Sequence, residues 1–311
     1  MARVCRLKSH LDGQAYHVMH RTVRQAFLFD DDVSKEWIYQ EILALAEIYT
    51  VDLHAIAVMS NHYHMVLTML KPVLSEKEVE ARFTRYQRRL RHPQKWHEWR
   101  FNEWATRLTD LSRFMQDLNR SIATYVNGRD RAKGPLWGGR FKSTLLDDGD
   151  GFLRCMAYVE MNPVKAGLCQ RPSEYRWCSM GRYHGGGRRA AGVNFPKIKG
   201  FEYAKTTAQR QKAFRMFLDH LADREHGLES NLEVDVAELQ KALSSWKLDE
   251  MADWVFRRTE WAWQSLALGS ESYCRAVIQR FKLQSPGCNQ PFRLGSGLCN
   301  THMRAGPHSC Q

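Results

Sequence analysis

Long apolar runs are missing from this 311-residue chain. No segment approaches the roughly 18 consecutive apolar residues that a membrane-spanning helix needs, and the mean hydropathy is −0.53. Residues 1–8 also lack the apolar stretch of a secretory signal peptide. We therefore expect a cytoplasmic protein whose 8 cysteines are reduced thiols rather than a disulfide framework.

Acidic residues are in deficit, because 34 Asp and Glu stand against 46 Lys and Arg, for a formal net charge of +12. Such an excess favours a polyanionic partner, either nucleic acid or an anionic membrane surface. Since no membrane segment is evident, nucleic acid is the leading partner, and we expect a nucleoid-associated location. The chain shows no internal repeat, and its length suits one large domain or two ordinary ones.

Hydrophobic periodicity in the first seventy residues predicts an α+β layer fold. Residues 15–21 alternate as a strand, and residues 33–49 carry apolar side chains at helical spacing. Residues 51–59 and 62–68 predict two strands joined as a hairpin. This order predicts an antiparallel sheet backed by helices.

The remainder of the chain divides by composition. A polar, helix-prone insertion covers residues 72–106, an amphipathic helix follows from Leu108 to Tyr125, and a short helix over residues 152–161 is expected to end before Pro163. Residues 233–283 favour helices, with plain packing or a helix-turn-helix as alternatives. The predicted domains are an N-terminal domain over 1–183, a mostly helical accessory region over 184–284, and a disordered tail over 285–311.

Asn61-His62-Tyr63-His64 is the most informative stretch of the chain. Side chains on a strand alternate between faces, so His62 and His64 project together while Tyr63 points the other way. Two neutral imidazoles on one face can share a divalent metal ion. Because a His-x-His spacing alone is weak evidence, a pair of solvated histidines is the alternative.

Tyr158 and Asn162 lie four residues apart, on one face of the predicted helix. In isolation, Tyr158 is interpreted as a half-buried tyrosine that packs on the sheet. Asn162 is similarly interpreted as a C-terminal helix residue ahead of Pro163.

Seven motifs in order carry a resemblance to a known family. They are Gly13-Gln14-Ala15-Tyr16-His17-Val18, Phe29-Asp30-Asp31-Asp32, Val58-Met59-Ser60-Asn61-His62-Tyr63-His64, Leu118-Asn119-Arg120, the run from Gly134 to Ser143, the run from Tyr158 to Leu168, and Tyr175-Arg176-Trp177-Cys178-Ser179. Over residues 1–183 the chain resembles the HUH single-tyrosine transposases of the insertion-sequence-200 type, particularly their REP-associated branch. The insertion at 72–106 is longer than in compact members of that family, and the smallest members lack the C-terminal extension.

The resemblance implies a ferredoxin-like antiparallel sheet with helices on one face. It assigns His62 and His64 as metal ligands, Tyr158 as the nucleophile, and Asn162 as a third ligand. The implied cofactor is Mg²⁺ or Mn²⁺, which would polarise the phosphodiester. The implied reaction is cleavage of single-stranded or hairpin DNA through a 5′-phosphotyrosine, followed by strand transfer, by a monomer or homodimer.

Basic and aromatic residues predict DNA contacts, each with a structural alternative. Arg140 and Lys142 lie in a motif shared with the family, and surface charge beside a strand is their alternative. A cluster on adjacent helical turns predicts phosphate contacts or a solvated face, namely Arg82, Arg85, Arg88 and Arg89. Trp96 and Trp99 would stack on bases or simply pack.

Three other functions remain open. A replication-initiator or relaxase-like nickase would use the same chemistry on a different DNA element. A domesticated DNA-binding protein would keep the fold without transposition. A zinc hydrolase would need a third strong ligand, and the tail offers only weakly patterned donors, namely Cys288, Cys299, His302, His308 and Cys310.

Overall fold

The computed structural model describes residues 7, 12–184, 193–195, 205–227, 265–283, 292–295 and 298–302. Seven strands form one sheet. They are β1 (Gln14–Arg21), β2 (Val51–Val58), β3 (His62–Met69), β4 (Lys142–Leu146), β5 (Ser265–Ser270), β6 (Phe292–Gly295) and β7 (Leu298–His302). Their order across the sheet is β2-β3-β1-β4-β5-β7-β6.

Helices surround this sheet. They are α1 (Asp32–Ile48), α2 (Glu76–Gln87), α3 (Phe101–Leu108), α4 (Leu111–Arg129), α5 (Asp150–Lys165), α6 (Ser179–His184), α7 (Thr207–Glu225) and α8 (Glu271–Arg280). Several of these helices begin at residues of the types that commonly cap helix N-termini. The Asp31 carboxylate accepts from the Ser34 N–H, and Ser75 forms a capping box with Glu78.

The first four strands have the ferredoxin-like order β2-β3-β1-β4, and every neighbouring pair among them is antiparallel. β2 and β3 form the predicted hairpin, in which Ala57 pairs with His64. The α+β fold class with an antiparallel sheet in the first half of the chain is therefore confirmed.

The placement of helices differs from the prediction, because they cover both faces of the sheet. Tyr16 and Leu67 pack with α1, α2 and α4 in one hydrophobic cluster, whereas Ala15 and Val66 pack with α5 and α7 in another. The prediction of helices on one face therefore accounts for α1, α2 and α4 but not for α5 and α7. β1, β2 and β3 carry apolar side chains on both faces, so each face needs a cover.

Helix α5 continues through Pro163 to Lys165, where the prediction ended it. Proline lacks the N–H that would bond the Val159 carbonyl. The side-chain amide of Asn162 compensates locally, since its Nδ2 donates to the Tyr158 carbonyl at 2.7 Å and lies 3.5 Å from the Val159 carbonyl. The helix ends at Lys165, and Gly167 follows two residues later with a φ of +68°, which suits glycine.

The C-terminal part of the chain extends the sheet. β5 pairs in parallel with β4, so residues 265–270 form a strand where helix was expected. β6 and β7 lie at 292–302, inside the segment predicted to be disordered. Strands so short form because a distant sheet edge supplies their partners, which periodicity alone does not reveal. Residues 228–264, which hold most of the predicted accessory helices, lie outside the described residues.

The Asp147 carboxylate links β4, α5 and β5 through hydrogen bonds. Its Oδ1 accepts from the N–H groups of Gly149, Gly151 and Phe152, and its Oδ2 accepts from the Ser270 N–H at 2.9 Å. A Cβ on Gly151 would lie 2.7 Å from the Leu268 carbonyl oxygen, so β5 passes directly over the start of α5.

Among the described residues, no helix combines the length and the apolar character that crossing a membrane requires.

Candidate active site

His62 and His64 lie on one face of β3, as the alternation of the strand predicted. Their ring centroids are 4.9 Å apart, and the ring planes are nearly perpendicular at 84°. Tyr63 points to the opposite face, where its hydroxyl donates to the Asn119 Oδ1 at 2.7 Å. The two imidazoles are therefore neighbours on the face that α5 covers.

Each of these rings has one nitrogen engaged and one left over. His64 Nδ1 lies 2.9 Å from His17 Nε2, and His64 Nε2 is buried with no hydrogen bond to any described residue. His62 Nδ1 lies 2.5 Å from the Asn61 Oδ1, so Nε2 is its remaining nitrogen. A buried ring nitrogen without a partner is costly unless something binds it. The pair thus fits a divalent metal ion held by the two Nε2 atoms.

Both imidazoles are neutral at physiological pH, which metal binding requires. Burial, with a smaller contribution from Arg21, lowers the pKa of His62 to about 3. Burial also lowers the pKa of His64 well below its ordinary value, and the neighbouring His62 and His17 act in the same direction. The ring lone pairs are therefore available without competition from protons.

His17 is a site residue that the sequence did not single out. It lies on β1 and is 1% exposed. Its direct partner on β3 is Val66, so His64, two residues before Val66, is its diagonal neighbour across the strands. The two imidazole planes differ by only 6°, the near-coplanar arrangement of a ring-to-ring hydrogen bond. The strand alternation over residues 15–21 placed His17 on one face, but only the register of β1 against β3 brings it to His64.

Tyr158 on α5 contacts His17 and His64 on the face of the sheet that α5 covers. Its ring centroid is 5.4 Å from that of His64 and 5.8 Å from that of His17, and both contacts are edge-on. The side chain is only 3% exposed. Three aromatic residues from two strands and one helix therefore converge at one point.

Asn162 follows one turn later on α5 and is partly exposed. Because its Nδ2 donates to the Tyr158 carbonyl, its Oδ1 is the free end of the amide, with no partner among the described residues. In the part of the chain that the structure describes, no three His, Cys, Asp or Glu side chains form a metal-binding group. A third protein ligand would thus have to be another type of donor, and the amide oxygen is one.

A cationic rim surrounds the histidines and Tyr158. Arg21 is the direct cross-strand partner of His62, and Lys142 pairs with Met19 on the same face. Lys165 Nζ lies 5.4 Å from the centre of the Tyr158 ring. Burial lowers the pKa of Lys142 and of Lys165. Of the two predicted DNA-binding residues near β4, Lys142 therefore belongs to this site.

Arg140 lies instead in a separate cleft. The cleft has a volume of about 320 Å³ and is lined by Arg140 and by His20, Ser112, Gln116, Asn119 and Phe141. His20 belongs to the opposite face of β1 from His17, and its ring stacks on Trp137 at 4.1 Å. Arg140 thus occupies the same end of the sheet as Lys142, but not the same side.

The predicted phosphate-tracking arginines contact α1. Arg82 donates to the Ile48 and Tyr49 carbonyls at the end of α1. Arg85 pairs with Glu47 at 3.3 Å, and Arg89 pairs with Glu41. These contacts account for Arg82, Arg85 and Arg89 within the protein, so their contact with DNA stays a prediction that the geometry does not support.

Comparisons with known proteins give a distant likeness to solved structures. No family model and no curated protein matches the chain. A solved structure, "Structure of the REP associates tyrosine transposase bound to a REP hairpin", is similar over 58% of this chain and 84% of that chain, with 14% identity and a TM-score of 0.39. A likeness this distant establishes only a remote structural relationship.

Proposed function

We propose that this protein is a metal-dependent enzyme that nicks and rejoins single-stranded DNA through Tyr158. The observation that carries the proposal is the contact of Tyr158 with His64, whose buried Nε2 lacks a partner beside the ring of His62. A tyrosine that only packed on the sheet would not require two adjacent imidazoles with unused nitrogens.

His62 and His64 would hold the metal ion, and Asn162 would contribute the amide oxygen. Mg²⁺ or Mn²⁺ bound there would polarise the phosphodiester and neutralise charge that develops on its oxygens. Imidazole and oxygen donors together suit Mn²⁺ better than a purely apolar or thiolate pocket would.

The chain's own residues prepare the substrate. Arg21, Lys142 and Lys165 attract a phosphate to the rim of the site, where a DNA backbone can approach the otherwise buried phenol. The positive charge of Lys165, next to the Tyr158 ring, would stabilise negative charge that develops on the phenol oxygen as it attacks. Such help is needed since a free tyrosine has a pKa of about 10.

In the cleavage step, the Tyr158 oxygen attacks the phosphorus atom. The new bond is a 5′-phosphotyrosine ester, and the bond that breaks is the one to the 3′ oxygen, which leaves as a 3′-hydroxyl after taking up a proton. A second 3′-hydroxyl then attacks the ester, releases Tyr158 and rejoins the strand. The ester conserves the energy of the original bond, so no nucleoside triphosphate is consumed.

The proposed substrate is single-stranded DNA, including hairpin-forming DNA. The proposed location is the cytoplasm, in association with the nucleoid. The net charge of +12 supports a polyanionic partner. A monomer or a homodimer would carry out the reaction.

The test is the formation of a covalent adduct. The protein is incubated with 3′-labelled, hairpin-containing single-stranded DNA and Mn²⁺, and labelled protein is detected on a denaturing gel. We expect an adduct with the wild type and none with Tyr158→Phe. Tyr183→Phe, in a partly exposed tyrosine of α6, is the matched control and should still form the adduct.

His62→Ala should retain DNA binding and lose cleavage. An adduct that survives in Tyr158→Phe would remove this tyrosine from the nucleophile role. If the wild type bound the DNA but formed no adduct, the domesticated binding protein would be the better description.

A further inference from the structure

A second basic surface lies on the insertion, away from the histidines. We call it the insertion surface and define it by Arg88, Arg91, Lys95, Trp99 and Arg100. It follows α2 and leads into α3, and these helices pack with α1 and α4. The insertion surface therefore belongs to the side of the sheet opposite to Tyr158.

Trp99 is exposed although the neighbouring tryptophans are not. It is 69% exposed, whereas Trp104 is buried and Trp96 packs on Phe83 with ring centroids 5.3 Å apart. The insertion thus uses two of its tryptophans to form a small core with α2 and leaves the third in solvent. A large apolar ring in that position needs an explanation other than packing.

Cationic and aromatic groups accompany the exposed ring. The Arg100 guanidinium carbon lies 4.4 Å from the centre of the Trp99 ring. The His97 ring is nearly parallel to the Trp99 ring, with an interplanar angle of 11° and a centroid separation of 6.2 Å. Flat cationic and aromatic groups in this arrangement form a platform on which a base can stack.

The positive charges of the insertion surface are not neutralised within the protein. Residues 88–100 contain five Lys or Arg and a single Glu. Arg88, Arg91 and Lys95 are exposed, and none of them pairs with a carboxylate among the described residues. Nearby, Arg85 on α2 and Arg89 just after it do pair with acids of α1. The unpaired cations are thus available to phosphates.

We propose that the insertion surface is a binding site for single-stranded nucleic acid, with a base stacked on Trp99 and phosphates on Arg88, Arg91 and Lys95. Alternating stacking and phosphate contacts are how proteins hold single strands without reading their sequence. This inference rests on the proposed function, because the strand bound here would be DNA that flanks the segment cleaved at Tyr158.

An anionic bilayer is the other partner that a basic surface with a tryptophan suggests. Bilayer binding depends on buried apolar area. Besides Trp99, the insertion exposes two large apolar side chains, Leu90 at 39% and Val73 at 101%, and Val73 precedes α2, outside the insertion surface. The stacking geometry therefore favours nucleic acid.

The first experiment separates stacking from hydrophobic contact. Affinity for a fluorescently labelled, unstructured single-stranded oligonucleotide is measured by anisotropy with the full-length protein. We expect Trp99→Ala to weaken binding by about 10-fold or more, from the usual contribution of one stacked base. Trp99→Phe should recover most of the affinity, whereas Trp99→Leu should not, because leucine has no π face.

The second experiment measures the phosphate contacts. The logarithm of the binding constant is plotted against the logarithm of the salt concentration. Arg88→Ala and Arg91→Ala should each lower the slope by about 0.7, the value for one single-strand phosphate. Arg85→Ala is the matched control, since the same charge is removed close by in the chain but at an arginine paired with Glu47, and it should leave the slope unchanged.

Equal affinities of Trp99→Ala and wild type would overturn the inference, as would full recovery by Trp99→Leu. Binding to vesicles of anionic phospholipid that depends on Trp99, without an effect on the oligonucleotide, would overturn it in favour of a membrane. The proposed function fails separately: it fails if no Tyr158-dependent adduct forms, even when oligonucleotide binding depends on Trp99.

Discussion

Replacing His17 by phenylalanine should weaken the binding of Mn²⁺ without unfolding the protein. The ring of His17 is buried against His64, and phenylalanine has a similar shape but no nitrogen. If His64 binds the metal ion through Nε2, its proton must reside on Nδ1 and be donated to His17 Nε2, 2.9 Å away. Removing that acceptor leaves a buried donor unpaired and no longer fixes the tautomer.

The size of the effect follows from two separate considerations. A buried donor that loses its partner costs about 1 to 3 kcal/mol. Removing the hydrogen-bond partner of a metal-bound histidine typically lowers affinity by about 10- to 100-fold, which corresponds to roughly 1.4 to 2.8 kcal/mol. The two ranges agree, so we expect the dissociation constant for Mn²⁺ to increase by about 10- to 100-fold.

Mn²⁺ affinity can be measured directly, from the electron paramagnetic resonance signal of the free ion, with no DNA present. His17→Gln is the rescue variant, because its amide oxygen can accept the proton of His64 from about the same distance. It should bind Mn²⁺ more tightly than His17→Phe, and His62→Ala should bind more weakly than either. If His17→Phe had wild-type affinity and an unchanged melting temperature, His17 would have no positioning role.

Three further variants test the remaining structure. Burial raises the pKa of the Glu160 carboxyl from 4.5 to about 7. The stability that the protonated carboxyl provides is therefore lost as the pH rises from about 4.5 to about 7. In thermal melts, Glu160→Gln should stabilise the protein at pH 8 by at most about 3 kcal/mol and have little effect at pH 4. Asp147→Ala should cost about 2 to 3 kcal/mol in urea unfolding, since four N–H groups lose their acceptor, and an unchanged midpoint would contradict the junction described above. Arg89→Ala leaves the mostly buried Glu41 unpaired and should destabilise the fold by about 1 to 2 kcal/mol, and a loss of DNA affinity at unchanged stability would restore the original prediction for Arg89.

Local patterns predicted the first three strands, because each of them alternates or lies next to a clear turn. The same alternation placed His62 and His64 together on one face, which the structure confirms. The proximity of Tyr158 to this pair could not come from periodicity, since it depends on which face of the sheet α5 covers. Only the resemblance to a family indicated that contact.

Other features escaped because they depend on register or on distant partners. His17 reaches His64 only through the pairing of β1 with β3. Residues 82–89 showed a cluster of arginines, and sequence alone could not tell which of them pair with the acids of α1. Strand β7 forms against β5 and β6 forms against β7, so their short sequences carried no local signal.

The contact between β5 and the start of α5 connects the helix that carries Tyr158 to the C-terminal part of the chain. Ser270 shares the Asp147 carboxylate with the first turn of the helix that carries Tyr158. A fragment that stopped at residue 183 would keep every group of the candidate active site, but the edge of β4 would be open to pairing with another molecule. Such a fragment would be prone to self-association, and the position of Tyr158 would be less precisely fixed, so a shortened version of this protein should retain the last strands.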